Sequence, residues 1–134
     1  MKHALLYADG ACRGNPGPAG SGAALMNEDG HVVAEAMKYI GHGTNNVAEY
    51  TALIIGLEKA LEHEVDDLEV RMDSKLVVEQ MNNRWKVRDA KLLPLAARAR
   101  ALLARLPKVG IRHIPREQNG IADTLANRAI DEAG

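Results

Sequence analysis

Apolar and polar positions change their period several times along this chain, and each change marks an element. Lys2 to Asp9 is short, mostly apolar and ends at a carboxylate, the profile of a strand. Gly10 to Gly20 carries four glycines and two prolines and reads as a loop. Ser21 to Asn27 and His31 to Tyr39 read as two strands joined at Asn27-Glu28-Asp29-Gly30, where Asp-Gly favours a hairpin. Gly41-His42-Gly43-Thr44 reads as a second turn. Ala48, Ala52, Ile55, Leu57 and Ala60 then recur at helical spacing, predicting a helix that starts at Thr44 or Asn45, either of which can cap it, and lasts to His63. Leu68 to Asp73 alternates apolar with polar residues and, like the first strand, ends at a carboxylate. Ser74 to Met81 predicts a short helix broken by Asn82-Asn83-Arg84-Trp85. Asp89 to Leu106 predicts a longer one, with Pro94 tolerable only in its first turn and Pro107 past its end. Val109 to Pro115 reads as a strand, and Asn119 to Glu132 as a last helix with Leu125, Ala129 and Ile130 facing inward.

The order β-β-β-α-β-α-α-β-α predicts an α/β fold. Hairpins supply an antiparallel half and helical crossovers a parallel half, giving a five-stranded mixed sheet flanked by helices. A length of 134 residues suits a single domain, 1–134, with its own core. A hydrophobic content of 46% argues against disorder, and 3% aromatic residues with no Phe leave the core to Ala, Val, Leu, Ile and Met. The one cysteine, Cys12, forms no internal disulfide, reads as a small filler, and points to a reducing compartment. Asp9 comes too early for a signal peptide, and no apolar run reaches the roughly 18 residues of a membrane span, so a cytoplasmic, membrane-free monomer is expected.

Net charge is −1, yet its distribution is uneven. Glu58 to Glu79 holds eight acids against three bases, and Arg84 to Arg116 ten bases against one acid. The basic stretch fits either a polyanion-binding surface or a solvated helix face.

The candidate chemistry lies in four acids, Asp9, Glu49, Asp73 and Asp123, each at a predicted strand end or in the first turns of a helix. Parallel first and fourth strands would bring Asp9 and Asp73 to one sheet edge, with Glu49 and Asp123 reaching it from two helices. Converging carboxylates repel unless cations lie between them, and hard oxygen ligands suit Mg²⁺ or Mn²⁺. Two such ions about 4 Å apart cleave phosphodiesters by activating water and stabilising the leaving 3′ oxygen. Caps and turn-forming Asp residues would account for the same acids one at a time.

Their neighbours sharpen the reading. Tyr7-Ala8-Asp9-Gly10-Ala11-Cys12-Arg13-Gly14-Asn15-Pro16-Gly17-Pro18-Ala19-Gly20, then Thr44-Asn45-Asn46-Val47-Ala48-Glu49, Met72-Asp73-Ser74 and Ala122-Asp123-Thr124-Leu125-Ala126-Asn127 together resemble type 1 ribonuclease H, from about Lys2 to Ala129. The resemblance implies the ribonuclease H-like fold and an endonuclease cutting the RNA strand of an RNA–DNA hybrid with two Mg²⁺ or Mn²⁺ ions, leaving 5′-phosphate and 3′-hydroxyl ends. It implies that Asp9, Glu49, Asp73 and Asp123 are the catalytic metal ligands. It also implies substrate contacts: Gly10 and Ser74 beside the acids; Asn15, Pro16, Gly17, Asn45 and Asn46 in the minor groove, where only RNA offers a 2′-hydroxyl; Thr44 at a DNA phosphate; and Arg116 and Asn119 near the last acid. Asn45 and Asn46 could equally cap the helix. His42 stands where a phosphate-gripping Arg often occurs, and would serve best when protonated.

The chain departs from the familiar bacterial form in two places. The basic, Trp-rich handle is absent, leaving Trp85 with Arg84, Lys86 and Arg88. Trp85 would either stack on a deoxyribose while the bases hold DNA phosphates, or plug a helix junction. Weaker hybrid affinity is expected unless Arg98, Arg100 or Arg105 compensates. The mobile-loop His is also absent. His113 falls within a predicted strand, so Arg116 or Glu117 is the better candidate to approach the site. This short form is similar to a variant whose action extends in some members to double-stranded RNA. Two alternatives stand beside the hybrid endonuclease: a cleavage-poor hybrid-binding module of a longer protein, and a 3′–5′ exonuclease. The second lacks its Asp-x-Glu, since Asp9 is followed by Gly10 and Ala11.

Overall fold

The computed structural model describes residues 1–134. Strands β1 (His3–Cys12), β2 (Gly17–Met26) and β3 (Val32–Gly43) precede α1 (Asn45–Glu62), β4 (Asp67–Met72), α2 (Lys75–Met81) and α3 (Leu93–Leu103). Then follow β5 (Lys108–His113), a 3-10 turn at Arg116–Gln118 and α4 (Gly120–Ala133). The five strands form one mixed sheet in the order β3-β2-β1-β4-β5, antiparallel between β1, β2 and β3 and parallel between β1, β4 and β5. This is the predicted architecture, and no helix is long and apolar enough to cross a membrane.

Side-chain alternation along the strands sorts the helices onto two faces. Leu6, Ala23, Leu68, Val70 and Met72 join Leu53 and Leu57 of α1 and Ala96, Ala99 and Leu102 of α3 in one buried cluster. Fully burying a residue such as Leu53, which is 0% exposed, contributes about 1.5–3 kcal/mol. On the other face α4 buries Leu125, Ala129 and Ile130, as the pattern predicts, together with Ala122 and Ala126.

The predicted loop over Gly10–Gly20 is mostly strand: β1 runs on to Cys12, β2 begins at Gly17, and only the residues between them turn. Gly14 turns the chain with φ +79°, whereas the glycines within the strands serve close contact. A Cβ on Gly22 would lie 2.6 Å from Ala122 O, Ala126 N and Leu125 Cβ, so α4 can lie against β2 only because that side chain is missing. The predicted turn at Gly41-His42-Gly43 is also strand. Pairing with β2 continues to Gly17↔Gly43 by skipping Ile40 in a bulge. Thr44 alone caps α1, its Oγ1 accepting from Val47 N at 3.3 Å, so Asn45 and Asn46 do not cap it. The predicted helix from Asp89 is shorter than expected. Pro94 offers no N–H to the Ala90 carbonyl, and Asp89 to Leu92 form a turn in which Lys91 N donates to Asp89 Oδ1 at 2.8 Å.

Gly22→Ala should therefore destabilise the fold by about 2–3 kcal/mol, because the added methyl meets helix backbone that cannot yield. Gly110→Ala in β5, where nothing lies within 4 Å, should be neutral or stabilising by up to about 1 kcal/mol. Urea denaturation of the two variants checks the contrast, and equal costs would refute it.

Candidate active site

The last matched pair of the β1–β4 ladder is Ala8↔Met72, so Asp9 and Asp73 are each the first residue beyond it. Asp9 does not end its strand, because β2 keeps pairing with it at Gly22. It ends only the side facing β4, and two carboxylates emerge at the same level of the sheet. Glu49 comes from α1, held down where Ser21 Oγ donates to the Ala48 carbonyl at 2.6 Å. Gly10 lets that helix turn approach, since a Cβ there would collide with Glu49 N and Ala48 C. Asp123 lies in the first turn of α4, where free N–H groups favour an anion. Asn127, one turn later, donates to the Asp123 carbonyl at 3.0 Å and to its Oδ1 at 3.3 Å.

These four acids line one open cleft of about 360 Å³ with Asn45, Asn127 and a single base, Arg116. Asp9 is 6% exposed. Burial, then the charges of Asp73 and Asp123, a side-chain hydrogen bond with Asp123 and the charge of Glu49 push its pKa up to about 8. Glu49 is raised as well, by burial and by Asp73, against a lowering hydrogen bond from Ser74. Ser74 also caps α2, accepting from Val77 N at 3.3 Å. No three of the acids close around one point tightly enough to form a complete protein cage for an ion. Mg²⁺ does not need one, since it keeps several waters and binds through one or two carboxylates plus substrate phosphates. Mutually repelling oxygen ligands on an open cleft fit such an ion.

Asn119 sits beneath this cleft rather than in its wall. It is 0% exposed, and its Nδ2 donates to the Ala8 carbonyl at 2.9 Å and to Asp73 Oδ1 at 2.7 Å. Its side chain is spent on the protein, so direct substrate contact is corrected to a supporting role. Its buried Oδ1 has no partner, a cost on the order of 1–3 kcal/mol.

One rim of the cleft carries the predicted minor-groove residues. Asn15 Oδ1 accepts from Asn45 N at 3.2 Å, joining the β1–β2 turn to the start of α1. Asn15 and Pro16 are exposed, Gly17 is buried, and His42 is exposed opposite Pro18. Thr44 and Asn46 complete this group. Arg13 bonds Asp131 at 2.7 Å and so ties the same turn to α4.

Trp85 does not reach the cleft. It is 45% exposed, so much of its ring faces outward, and it shares a separate shallow pocket with Asn83, Arg84, Lys86, Val87, Leu93 and Arg100. Glu79 holds Arg84 through two 2.7 Å bonds, Arg98 pairs with Glu58, and Arg100 bonds Gln80 O and Asn83. Lys86 and Arg88 are the neighbouring bases that no acid holds. His113 is exposed at the end of β5, a strand residue as expected. Sequence reasoning missed Ser21, Asn127 and the buried pair Tyr50–Gln80. Asn127 was within reach, since residues four apart share a helix face. Burial pushes the Tyr50 phenol up to about 12, against a lowering influence of Arg100, so it stays a donor.

Relatives carry the same arrangement of elements. A family profile described as reverse transcriptase-like matches residues 7–129. The bifunctional protein Rv2228c of Mycobacterium tuberculosis is 48% identical over 130 residues, 96% of this chain and 36% of that protein. Its solved N-terminal RNase H domain superposes with a TM-score of 0.95 at 47% identity, covering 99% of this chain and 96% of that one. Ribonuclease HI of Halobacterium salinarum is 49% identical over 127 residues, 95% of this chain and 64% of that protein. LC11-RNase H1, solved in complex with an RNA/DNA hybrid, matches with a TM-score of 0.90 and 45% identity over 97% of this chain and 98% of that one. This chain thus spans between about a third and two thirds of the length of these two curated relatives. Identity at this level along nearly the whole chain, on the same sheet and helices, makes it a member of the type 1 ribonuclease H family.

Proposed function

We propose that this chain is an endoribonuclease that cuts the RNA strand of RNA–DNA hybrids, leaving 5′-phosphate and 3′-hydroxyl ends. The observation that carries the reading is the convergence of Asp9, Glu49, Asp73 and Asp123, from four separate elements, on one open cleft. The hybrid-bound relative LC11-RNase H1 supports it.

The four acids would hold Mg²⁺ or Mn²⁺. Bound there, the ions would supply Lewis-acid activation of an attacking water and of the leaving 3′ oxygen. The chain's own residues do the rest. Asn119 and Asn127 hold Asp73 and Asp123 in fixed rotamers, which lowers the reorganisation needed when a phosphate arrives. Asn15, Asn45 and Asn46, with the exposed Pro16 beside them and Gly17 shaping the turn from beneath, offer amide and backbone groups to bases and 2′-hydroxyls, so an RNA strand is distinguished from DNA before chemistry. Gly10 and Ser74 line the approach to the acids. Arg116, the cleft's one base, attracts the scissile strand's phosphates. Thr44 and His42 face the neighbouring strand, and Trp85 with Lys86 and Arg88 meets the DNA backbone further along.

One labelled duplex sequence, presented as RNA–DNA, RNA–RNA and DNA–DNA with Mg²⁺, Mn²⁺ or EDTA, tests the function. Metal-dependent internal cuts in the RNA of the hybrid are expected, and the RNA–RNA lane decides breadth. Hybrid binding without cutting in any lane would favour a binding module instead. Asp9→Asn should lower cleavage by about a thousandfold or more while hybrid binding persists. Turnover near the wild-type level in metal would remove Asp9 from the site.

Asp9 also links the site to stability. Its folded pKa of about 8 lies above the unfolded 3.8, so between these values the native state binds more protons than the unfolded state. Without divalent ions, stability should therefore fall as pH rises from about 4 to about 8. Asp9→Asn should remove much of that slope and raise Tm at pH 8 by about 5 °C or more. Thermal melts across pH in EDTA check this; an unchanged slope would show that Asp9 is not the strained carboxylate.

Trp85→Ala should raise KM for the hybrid by about three- to tenfold, the loss of one stacking contact, with single-turnover chemistry nearly intact. Steady-state kinetics against a melting curve check it; a collapse in Tm would mark Trp85 as structural.

A further inference from the structure

A set of buried and part-buried hydrogen bonds runs from the helix turn that bears Glu49 to the exposed Trp85. Tyr50 is the next residue on α1 and is 0% exposed. Its Oη donates to Gln80 Oε1 at 2.6 Å, and Gln80 Nε2 donates to the Lys86 carbonyl at 3.1 Å. Gln80 is 4% exposed. Its own carbonyl accepts from Arg100 at 3.1 Å and from Asn83 N at 3.1 Å, while Trp85 N donates to the Glu79 carbonyl at 3.2 Å. A surface connection between two helices needs none of this, since such segments are ordinarily the mobile parts of a fold. The interior does not need it either, because two apolar side chains of the same shape would fill the volume at little cost. What the bonds achieve is a fixed backbone under Trp85 and Lys86, tied to the helix that carries Glu49.

We propose that Tyr50 and Gln80 are positioning residues that hold the Trp85–Lys86 platform at a set distance from Glu49, so that the DNA strand is gripped in register with the phosphate to be cut. The proposal rests on the reading of Trp85 as a substrate contact. A platform held rigid before binding loses less freedom when the hybrid docks, and the gain appears as affinity. Neither residue touches substrate; both act through the Trp85–Lys86 segment.

The test uses the whole chain, an RNA–DNA hybrid with Mg²⁺, and the fluorescence of Trp85, the only tryptophan. Tyr50→Phe should raise KM by about three- to tenfold, the equivalent of one lost hydrogen bond, with kcat within about twofold. It should also change the quenching of Trp85 by iodide in the free protein. Tyr50→Phe/Gln80→Leu replaces both partners by apolar groups and should recover thermal stability while KM stays high; recovery of KM along with stability would overturn the proposal. Tyr50→Phe/Trp85→Ala should lose clearly less than the sum of the two single losses, and fully additive losses would overturn it. If Trp85→Ala leaves KM unchanged, the reading of Trp85 itself fails. If Trp85→Ala raises KM and Tyr50→Phe does not, only the positioning role fails.

Discussion

Four carboxylates in one cleft repel each other, and the surrounding structure has to hold them together against that repulsion. The opposition is visible in Asp9, whose pKa is pushed up to about 8 by burial and by three neighbouring acids. The restraint is spread over several elements. The parallel ladder of β1 and β4 ends at Ala8↔Met72 and fixes the level of Asp9 and Asp73. Ser21 pins the turn of α1 that carries Glu49, and Asn119 joins β1, β4 and the start of α4 through one amide. Each is an uncharged donor, which can hold an acid or a backbone carbonyl without filling the place a cation would take. A lysine in the same position would relieve the repulsion by itself and leave a cation nothing to neutralise.

Helix approach is the second requirement. Carboxylates from α1 and α4 can meet those of the sheet only if both helices lie unusually close to β1 and β2. Gly10 and Gly22 have no side chain where the helix backbones pass. Gly10, next to Asp9 in the chain, and Gly22, paired with Asp9 from β2, thus clear the way for Glu49 and Asp123.

Long periodic elements were legible in the sequence, and short-range chemistry overrode pattern elsewhere. The helices around Leu57 and Leu125 follow a clear 3.6-residue spacing, and the strand ending at Met72 alternates cleanly, so the order of elements was readable. The stretch from Gly10 to Gly20 was misread because glycine is the same letter whether it turns a chain or admits a neighbouring helix. The acids were readable because a motif surrounds each one. Asn119 was recognised as belonging to the site, but only coordinates show its amide turned inward to Ala8 and Asp73. Tyr50 and Gln80 are 30 positions apart and carry no periodic signal, so their 2.6 Å bond was beyond pattern reading altogether.

The basic stretch shows how far charge counting falls short of an interface. Ten bases against one acid between Arg84 and Arg116 suggest a broad cationic face. In the fold, Arg84 and Arg98 are held by Glu79 and Glu58 from the acidic stretch before them, and Arg100 is turned onto Gln80 and Asn83. The two opposite blocks of sequence therefore partly cancel in space. Of the ten bases this leaves Lys86, Arg88, Lys91, Arg105, Arg112 and Arg116 with neither an acidic partner nor a side-chain hydrogen bond, and a base that neutralises a phosphate releases roughly one counterion. On the proposed reading, hybrid affinity draws on geometry as well as charge: an amide rim for the RNA strand, an aromatic ring for the DNA strand, and a spacing held between them.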